Sequence, residues 1–434
     1  MLDPRGRERY GRFVGPHRVE QFEQLGWTED FVRAQGCSLV DAENRAFLDM
    51  MAGFGAATVG HHHPVVDRSL TEALASLLPH TLPAGIPHQV GALAEALCER
   101  AGGGLRKVYF GNSGAEGIEA ALKFALACTG RRSFLCFEGG YHGLTLGALS
   151  VMGGGVWRTP FPQLPVQAQV VAFEALDAVE RHLAGGDVAA VVLEVVQGVN
   201  GARAWSSEKL RQLAELCHRA GTLLVVDEVL TGIGRTGQWF AYQEAGEAVR
   251  PDIVVVSKGL SGGAIPVGAV LMTEEVFRGV FGPPGRASIH GSTFSGNLLA
   301  MVAGLSVLQV IEEEGLLERA ARLGARLVAG LESLRHEGIA VREVRGRGLI
   351  VGARIVGLHT PEDAMGAWAC CQGLRDLGVI TTLAGHAPSF LKLTPPLTIT
   401  EAEIDLFLER LREVGLGLEE LRSELSATEA ATAK

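Results

Sequence analysis

Lys258 closes the apolar run Ile253-Val254-Val255-Val256, inside the segment Pro-Asp-Ile-Val-Val-Val-Ser-Lys-Gly. The chain has six lysines against 33 arginines, so a lysine in this position stands out. An amine at the end of a buried strand sits in low dielectric. Its charged form is disfavoured there, and a neutral, nucleophilic fraction exists near neutral pH. Schiff-base chemistry needs that fraction. A second apolar run, Leu223-Leu224-Val225-Val226, ends in Asp227, 31 residues before Lys258. A strand-end carboxylate and a strand-end lysine together suit pyridoxal phosphate. The lysine would hold the aldehyde carbon, and the carboxylate would keep the pyridine nitrogen protonated.

Other segments carry chemistry less specifically. Gly111-Asn112-Ser113-Gly114-Ala115-Glu116 follows an apolar run and opens a helical one. Small residues there let backbone N–H groups approach a phosphate, with Ser113 adding a hydroxyl; an ordinary helix cap reads the same way. Tyr141-His142-Gly143 offers an aromatic that stacks on a flat ring or packs in its own loop. Glu194 ends the run Ala189–Leu193, where open α/β sheets bind ligands, although a solvated loop acid fits equally. Gly232-Ile233-Gly234-Arg235-Thr236-Gly237 matches the dinucleotide fingerprint in letters only. It starts five residues after Asp227 rather than in the turn after a strand, and no long helix follows. His61-His62-His63-Pro64 is no metal site by spacing, because three adjacent histidines cannot face one ion; it reads as a loop entering a helix.

The elements that would position these residues alternate between helical segments and short all-apolar runs. The runs are Lys107–Phe110, Ser133–Phe137, Ala189–Leu193, Leu223–Val226, Ile253–Val256 and Val267–Leu271. Such runs between helices imply a parallel or mixed sheet buried on both faces, hence an α/β fold. Residues 36–50 read as a hairpin turning at Glu43-Asn44, and residues 298–311 and 316–335 as helices. An alternating segment at 341–355, a helix at 361–377, a strand at 378–382 and a helix from 401 to about 421 form a smaller α+β unit. The expected organisation is an N-terminal segment 1–54 joining the small domain, a large domain 55–300, a small domain 301–425 and a frayed tail 426–434. Residues 1–20 read as charged and irregular. Net charge is −10, and no basic run points to nucleic acid or an anionic membrane. Seven scattered cysteines without a Cys-x-x-Cys motif imply reduced thiols in a cytoplasmic protein. No signal peptide or membrane span is evident.

Asn-Ser-Gly-Ala-Glu at 112–116, Tyr-His-Gly at 141–143 and Asp-Glu-Val-Leu-Thr-Gly-Ile-Gly-Arg-Thr-Gly at 227–237 are followed by Ser-Lys-Gly at 257–259 and His-Gly-Ser-Thr-Phe-Ser-Gly-Asn at 290–297. In that order the series resembles the class III (ω-) aminotransferases of the fold-type I pyridoxal-phosphate enzymes. The resemblance implies a large domain with a mostly parallel seven-stranded sheet sandwiched by helices, plus a smaller α+β domain from both chain ends. It implies Lys258 as Schiff-base lysine and proton shuttle, and Asp227 on the pyridinium nitrogen. Tyr141 and Val229 would cover the two ring faces, and Ser113, Gly114 and Ala115 would bind the phosphate. His142 and Glu194 would be polar supports. Thr293 would reach the phosphate of a partner subunit, because the family shares its active sites across a homodimer.

The departures bear on substrate. Ornithine- and 4-aminobutyrate-type members place a glutamine where this chain has Leu230, and a glutamate where it has Val199. Their carboxylate-binding arginine is Lys392 here. Lysine is a point charge and lacks the bidentate fork. Lys392 therefore binds a carboxylate or phosphate weakly, or lies on the surface. Phe54 stands where relatives place a substrate-contacting aromatic, with core packing as the other reading. The expected reaction moves an amino group between a terminal amine and an oxo acceptor by a ping-pong cycle. The alternatives are an aminomutase of the glutamate-1-semialdehyde type and an α-amino-acid or ornithine-type aminotransferase.

Overall fold

A strand covered on both faces gains by being apolar at every position. The computed structural model describes residues 6–24, 27–82, 85–161, 163–360 and 363–432. The six apolar runs lie in one sheet of seven strands. Their order is Leu105–Gly111, Gly268–Thr273, Ile253–Val256, Leu223–Asp227, Val188–Leu193, Ser133–Phe137 and Gln167–Val171. Gly268–Thr273 is antiparallel to both neighbours, and the other pairs are parallel. Side chains alternate between two cores. Val191, Val226 and Val254 serve one, while Val192, Val225 and Val255 serve the other. This is the two-residue strand period with helices on both faces. The helix Gly114–Thr129 rests directly on the sheet, since a Cβ on Gly117 would lie 2.5 Å from Val255 Cγ1.

The smaller α+β part takes residues from both chain ends. The hairpin Ser38–Asp41 and Ala46–Asp49 turns at Asn44, whose φ is 62°. Asp41 Oδ1 stabilises the turn by accepting from the N–H groups of Glu43 and Arg45, at 3.0 and 2.8 Å. Ala46–Asp49 also pairs in parallel with Val379–Ile380. A second sheet orders Val341–Arg347, Ile350–Ile355, Ala387–Leu393 and Thr382–Ala384.

Several elements differ from the sequence expectation. The last helix runs Glu401–Thr432, through the stretch expected to fray from residue 426. Its closing Ser-Ala-Thr-Glu-Ala-Ala-Thr is alanine-rich, and alanine has the highest helix propensity. A domain boundary at residue 300 would fall inside the helix Leu298–Glu313, which packs on the helices Pro64–Ala75 and His88–Ala101 of the larger part. Two helices, Gly6–Phe13 and Pro16–Gln24, occupy the segment expected to be irregular. The helix expected at 361–377 is Met365–Asp376, and residues 361–362 lie outside the described residues. Among the described residues no helix is long and apolar enough to cross a membrane.

Candidate active site

Parallel neighbours align their carboxyl ends, so the residues that follow adjacent strands gather at one sheet edge. Glu194 follows Val188–Leu193, Asp227 ends Leu223–Asp227, and Lys258 follows Ile253–Val256. Lys258 has φ 33°, a strained value for a residue with a Cβ. Asp227 is buried, with Oδ2 2.7 Å from His142 Nδ1 and Oδ1 accepting from Val229 N at 3.0 Å. Glu194 Oε1 accepts from Tyr141 N at 2.9 Å.

Burial and charge set opposed protonation tendencies in this cluster. Burial pulls Lys258 below the usual lysine value, while Asp227 and Glu194 pull it back. Burial pushes Glu194 up to about 7; His142, the Tyr141 amide and Lys258 oppose that rise, and Asp227 adds to it. Burial also disfavours the imidazolium of His142, but the hydrogen bond and charge of Asp227 outweigh it and raise the ring above its ordinary value.

Ser113 caps the helix Gly114–Thr129, with Oγ accepting from Glu116 N at 3.2 Å. The first-turn N–H groups of Gly114 and Ala115 have no intrahelical acceptor and are free for an anion. Both residues are wedged in place. A Cβ on Gly114 would lie 2.7 Å from Val229 Cγ2, and one on Gly143 would lie 2.7 Å from Ala115 Cβ. Thr293 is exposed on a segment fastened to this loop: Asn112 Nδ2 donates to Ser292 Oγ at 2.7 Å, and Ser295 Oγ donates to the Phe110 carbonyl at 2.6 Å. An anion cradle, a buried carboxylate and a strand-end amine at one sheet edge fit pyridoxal phosphate in its three reactive parts.

The departures from the family pattern also meet here. Leu230 is buried in a slot made by two glycines, since a Cβ on Gly55 would lie 2.7 Å and one on Gly198 2.2 Å from its methyls. Lys392 is buried, not on the surface, with Nζ 5.8 Å from the centre of the Phe54 ring. Burial, reinforced by Lys258 and Arg235, lowers Lys392 to about 7 against the pull of Glu194. Phe54 is 48% exposed, so it is no core residue in this chain.

Sequence reasoning missed several neighbours. Trp157 stands edge-on to Tyr141 at 5.2 Å and to His386 at 5.0 Å. His386 N donates to the Val199 carbonyl at 2.8 Å, which ties this aromatic row to the position where relatives carry a glutamate. Only the fold brings these residues together. Glu228 is buried, raised to about 7 by desolvation, and accepts from Thr231 Oγ1 and Tyr242 N. Arg235 is fully buried and donates to the carbonyls of Gly55, Leu349 and Pro395. Gly232–Gly237 is thus a hub of turns joining both parts of the molecule. The three adjacent histidines separate, with His61 on Asp49, His62 on Asp67 and His63 on Glu314.

The model of the aminotransferase class-III family matches residues 25–414. The chain is 37% identical to the acetylornithine aminotransferase of Methanopyrus kandleri over 88% of this chain and 93% of that one. It is 34% identical to the aminotransferase PigE of Serratia sp. over 94% of this chain, and spans 53% of that longer protein. An amine transaminase from an uncultivated Pseudomonas species, solved with pyridoxal phosphate bound, superposes with a TM-score of 0.83. That structure is 30% identical and covers 96% of this chain and 98% of its own. A family match across most of the chain, relatives above 30% identity and a site that fits the cofactor agree: the chain is a pyridoxal-phosphate enzyme and belongs to the class III aminotransferases.

Proposed function

We propose that this aminotransferase moves an amino group between a primary, terminal amine and an oxo acceptor. The observation that carries this reading is the pairing of Leu230 with Lys392: an apolar side chain and a half-neutral amine border the site where relatives grip a carboxylate. Bound pyridoxal phosphate supplies an electron sink for carbanion character at the donor's amine-bearing carbon. In this reading Lys258 Nζ would hold the cofactor at rest and would then carry the proton from that carbon to the cofactor's aldehyde carbon. Asp227, oriented by His142, keeps the ring nitrogen protonated. Tyr141 and Val229 flank the ring, and Glu194 orients Tyr141 through its main-chain N–H. Ser113, Gly114 and Ala115 hold the phosphate. Phe54, Leu230 and Lys392 border the substrate.

The same reading includes a homodimer, with Thr293 serving the partner's phosphate. Supporting it, large apolar side chains are exposed: Leu77 at 91%, Ile86 at 82% and, next to Thr293, Phe294 at 62%. Surfaces of that kind mark protein interfaces. Sedimentation equilibrium of the holoenzyme giving a monomer would remove the dimer from the proposal.

A second reading, an N-acylated ornithine donor, is favoured by the Methanopyrus kandleri relative and by the cationic form of Lys392. The absorption spectrum of the holoenzyme decides between them. Diamines or simple amines, added without acceptor, are expected to change the cofactor band, and an oxo acid to restore it. If acetylornithine, ornithine or 4-aminobutyrate changes the band far faster than any diamine or simple amine, the terminal-amine reading fails.

A further inference from the structure

Lys392 is a second buried amine at the same sheet edge, and the roles given to Lys258 make no use of it. Its backbone is held on both sides, paired with Gly352 and with Thr382 in the strand Ala387–Leu393. The side chain reaches toward the catalytic cluster. A Cβ on Gly198 would stand 3.8 Å from Lys392 Cε and 2.2 Å from a methyl of Leu230. Gly198 lies four residues after Glu194, and Leu230 three after Asp227.

Among the described residues, no hydrogen bond or ion pair engages Lys392 Nζ. The contact it makes is with the ring of Phe54, at 5.8 Å from the centre. The atom is also not among the sealed polar atoms that lack a partner. Lys392 keeps 5% of its surface, and Phe54 beside it is 48% exposed. The charges acting on the amine are Lys258 and Arg235, which disfavour the ammonium, and Glu194, which favours it. Burial outweighs the carboxylate and brings the amine to about 7. About half of it is therefore neutral at pH 7, against about 0.04% of an unperturbed lysine.

A neutral amine with a free lone pair adds to carbonyl carbon. The lone pair attacks the carbon, a proton moves from nitrogen to oxygen, and water leaves. A C=N bond then replaces C=O, with no change of oxidation state and no further reactant. We propose that Lys392 is a second carbonyl-binding residue, which takes a short unbranched aldehyde as a reversible imine beside Phe54. A terminal amine that gives up its nitrogen departs as an aldehyde. Under the terminal-amine reading, the captured compound is thus the enzyme's own product. The capture rests on Lys392 alone and not on the identity of the donor.

The test treats the holoenzyme with butanal and cyanoborohydride at pH 7 and reads each lysine by peptide mass spectrometry. With six lysines in the chain, every one can be followed. A weaker base is a weaker nucleophile, which takes back part of the advantage in neutral fraction. Lys392 should still be butylated at least about tenfold faster than Lys107 and Lys123. The lead should shrink toward pH 10, where unperturbed lysines also become neutral. Labelling of Lys392 no faster than that of Lys107 and Lys123 at pH 7 overturns the proposal. So does labelling by formaldehyde with butanal excluded, which would mark a reactive amine without room for an aldehyde chain.

Discussion

Raising the pH should change which donors this enzyme prefers, and the change should trace to Lys392. The amine is buried beside Phe54 and is lowered to about 7 by desolvation, with Lys258 and Arg235 adding to the effect. Below that value it is an ammonium able to pair with a carboxylate tail; above it, the amine is neutral. The protonated fraction falls from about nine-tenths at pH 6 to about 3% at pH 8.5, a drop of about 30-fold, or roughly 2 kcal/mol. A hydrogen bond to a charged group contributes about 1.5–3 kcal/mol, so the whole effect fits within one contact. The assay compares kcat/KM for two donors with the same reacting amine, one with a neutral tail and one with a carboxylate tail. Their ratio cancels the titration of the amine and of Lys258. The carboxylate donor should lose about 30-fold relative to its neutral partner across that range. Lys392→Arg, which stays charged, should flatten the ratio. Lys392→Met should hold the ratio at its high-pH value throughout. A ratio that does not move with pH in the unmodified enzyme would refute the reasoning.

Lys392 also predicts a stability effect. Below about 7 the amine is charged in both folded and unfolded chains, and the full cost of burying that charge is present. As pH rises from there to 10.5 the unfolded chain binds the extra proton, so stability climbs. Lys392→Met should therefore raise the unfolding free energy at pH 7 by at most on the order of 5 kcal/mol, seen as a higher thermal midpoint, with the gain shrinking toward pH 10. An equal change at both pH values would contradict this. Lys258→Ala should cut turnover by about 10²–10⁴-fold or more while pyridoxal phosphate still binds, as followed by equilibrium dialysis. Gly55→Ala should cost roughly 1–3 kcal/mol through its clash with Leu230 and through the φ of 85° that alanine must adopt there, and Leu230→Ala should recover the clash part only in a double-mutant cycle. Additive losses would show that the two do not touch.

The parts of the site that ride on fully buried strands were readable from the chain, because an all-apolar run with a charge at its end has few other meanings. Lys258 and Asp227 are of this kind; Glu194 read equally well as a solvated loop acid, and only the fold shows it buried. Gln167–Val171 was missed because it is an edge strand with two glutamines and a mostly exposed surface, so no apolar run marks it. The helices at 6–13 and 16–24 were missed because charge dominates there, although Gly15-Pro16 is a usable helix-start signal. The spacing of six residues between His386 and Lys392 gave no hint that one would join Trp157 and the other Phe54. Such neighbours depend on how distant segments cross, which no local pattern records. The buried state of Lys392 was open for the same reason: the strand carrying it is enclosed by residues from three other parts of the chain.

The pairing of Ala46–Asp49 with Val379–Ile380 has a consequence during synthesis. Leu48 meets Val379, 331 residues later in the chain. At about 5–20 residues per second, a ribosome needs on the order of tens of seconds to deliver that partner. Until then the hairpin presents one unpaired edge, and the turn that carries Phe54 lacks the neighbour that anchors it, since Met50 N donates to the Ile380 carbonyl at 3.0 Å. The central sheet, whose strands all lie between residues 105 and 273, can be complete well before this happens. A nascent chain would therefore hold a formed cofactor edge with an unfinished substrate side, and its first strands would be the segment most in need of protection from other chains.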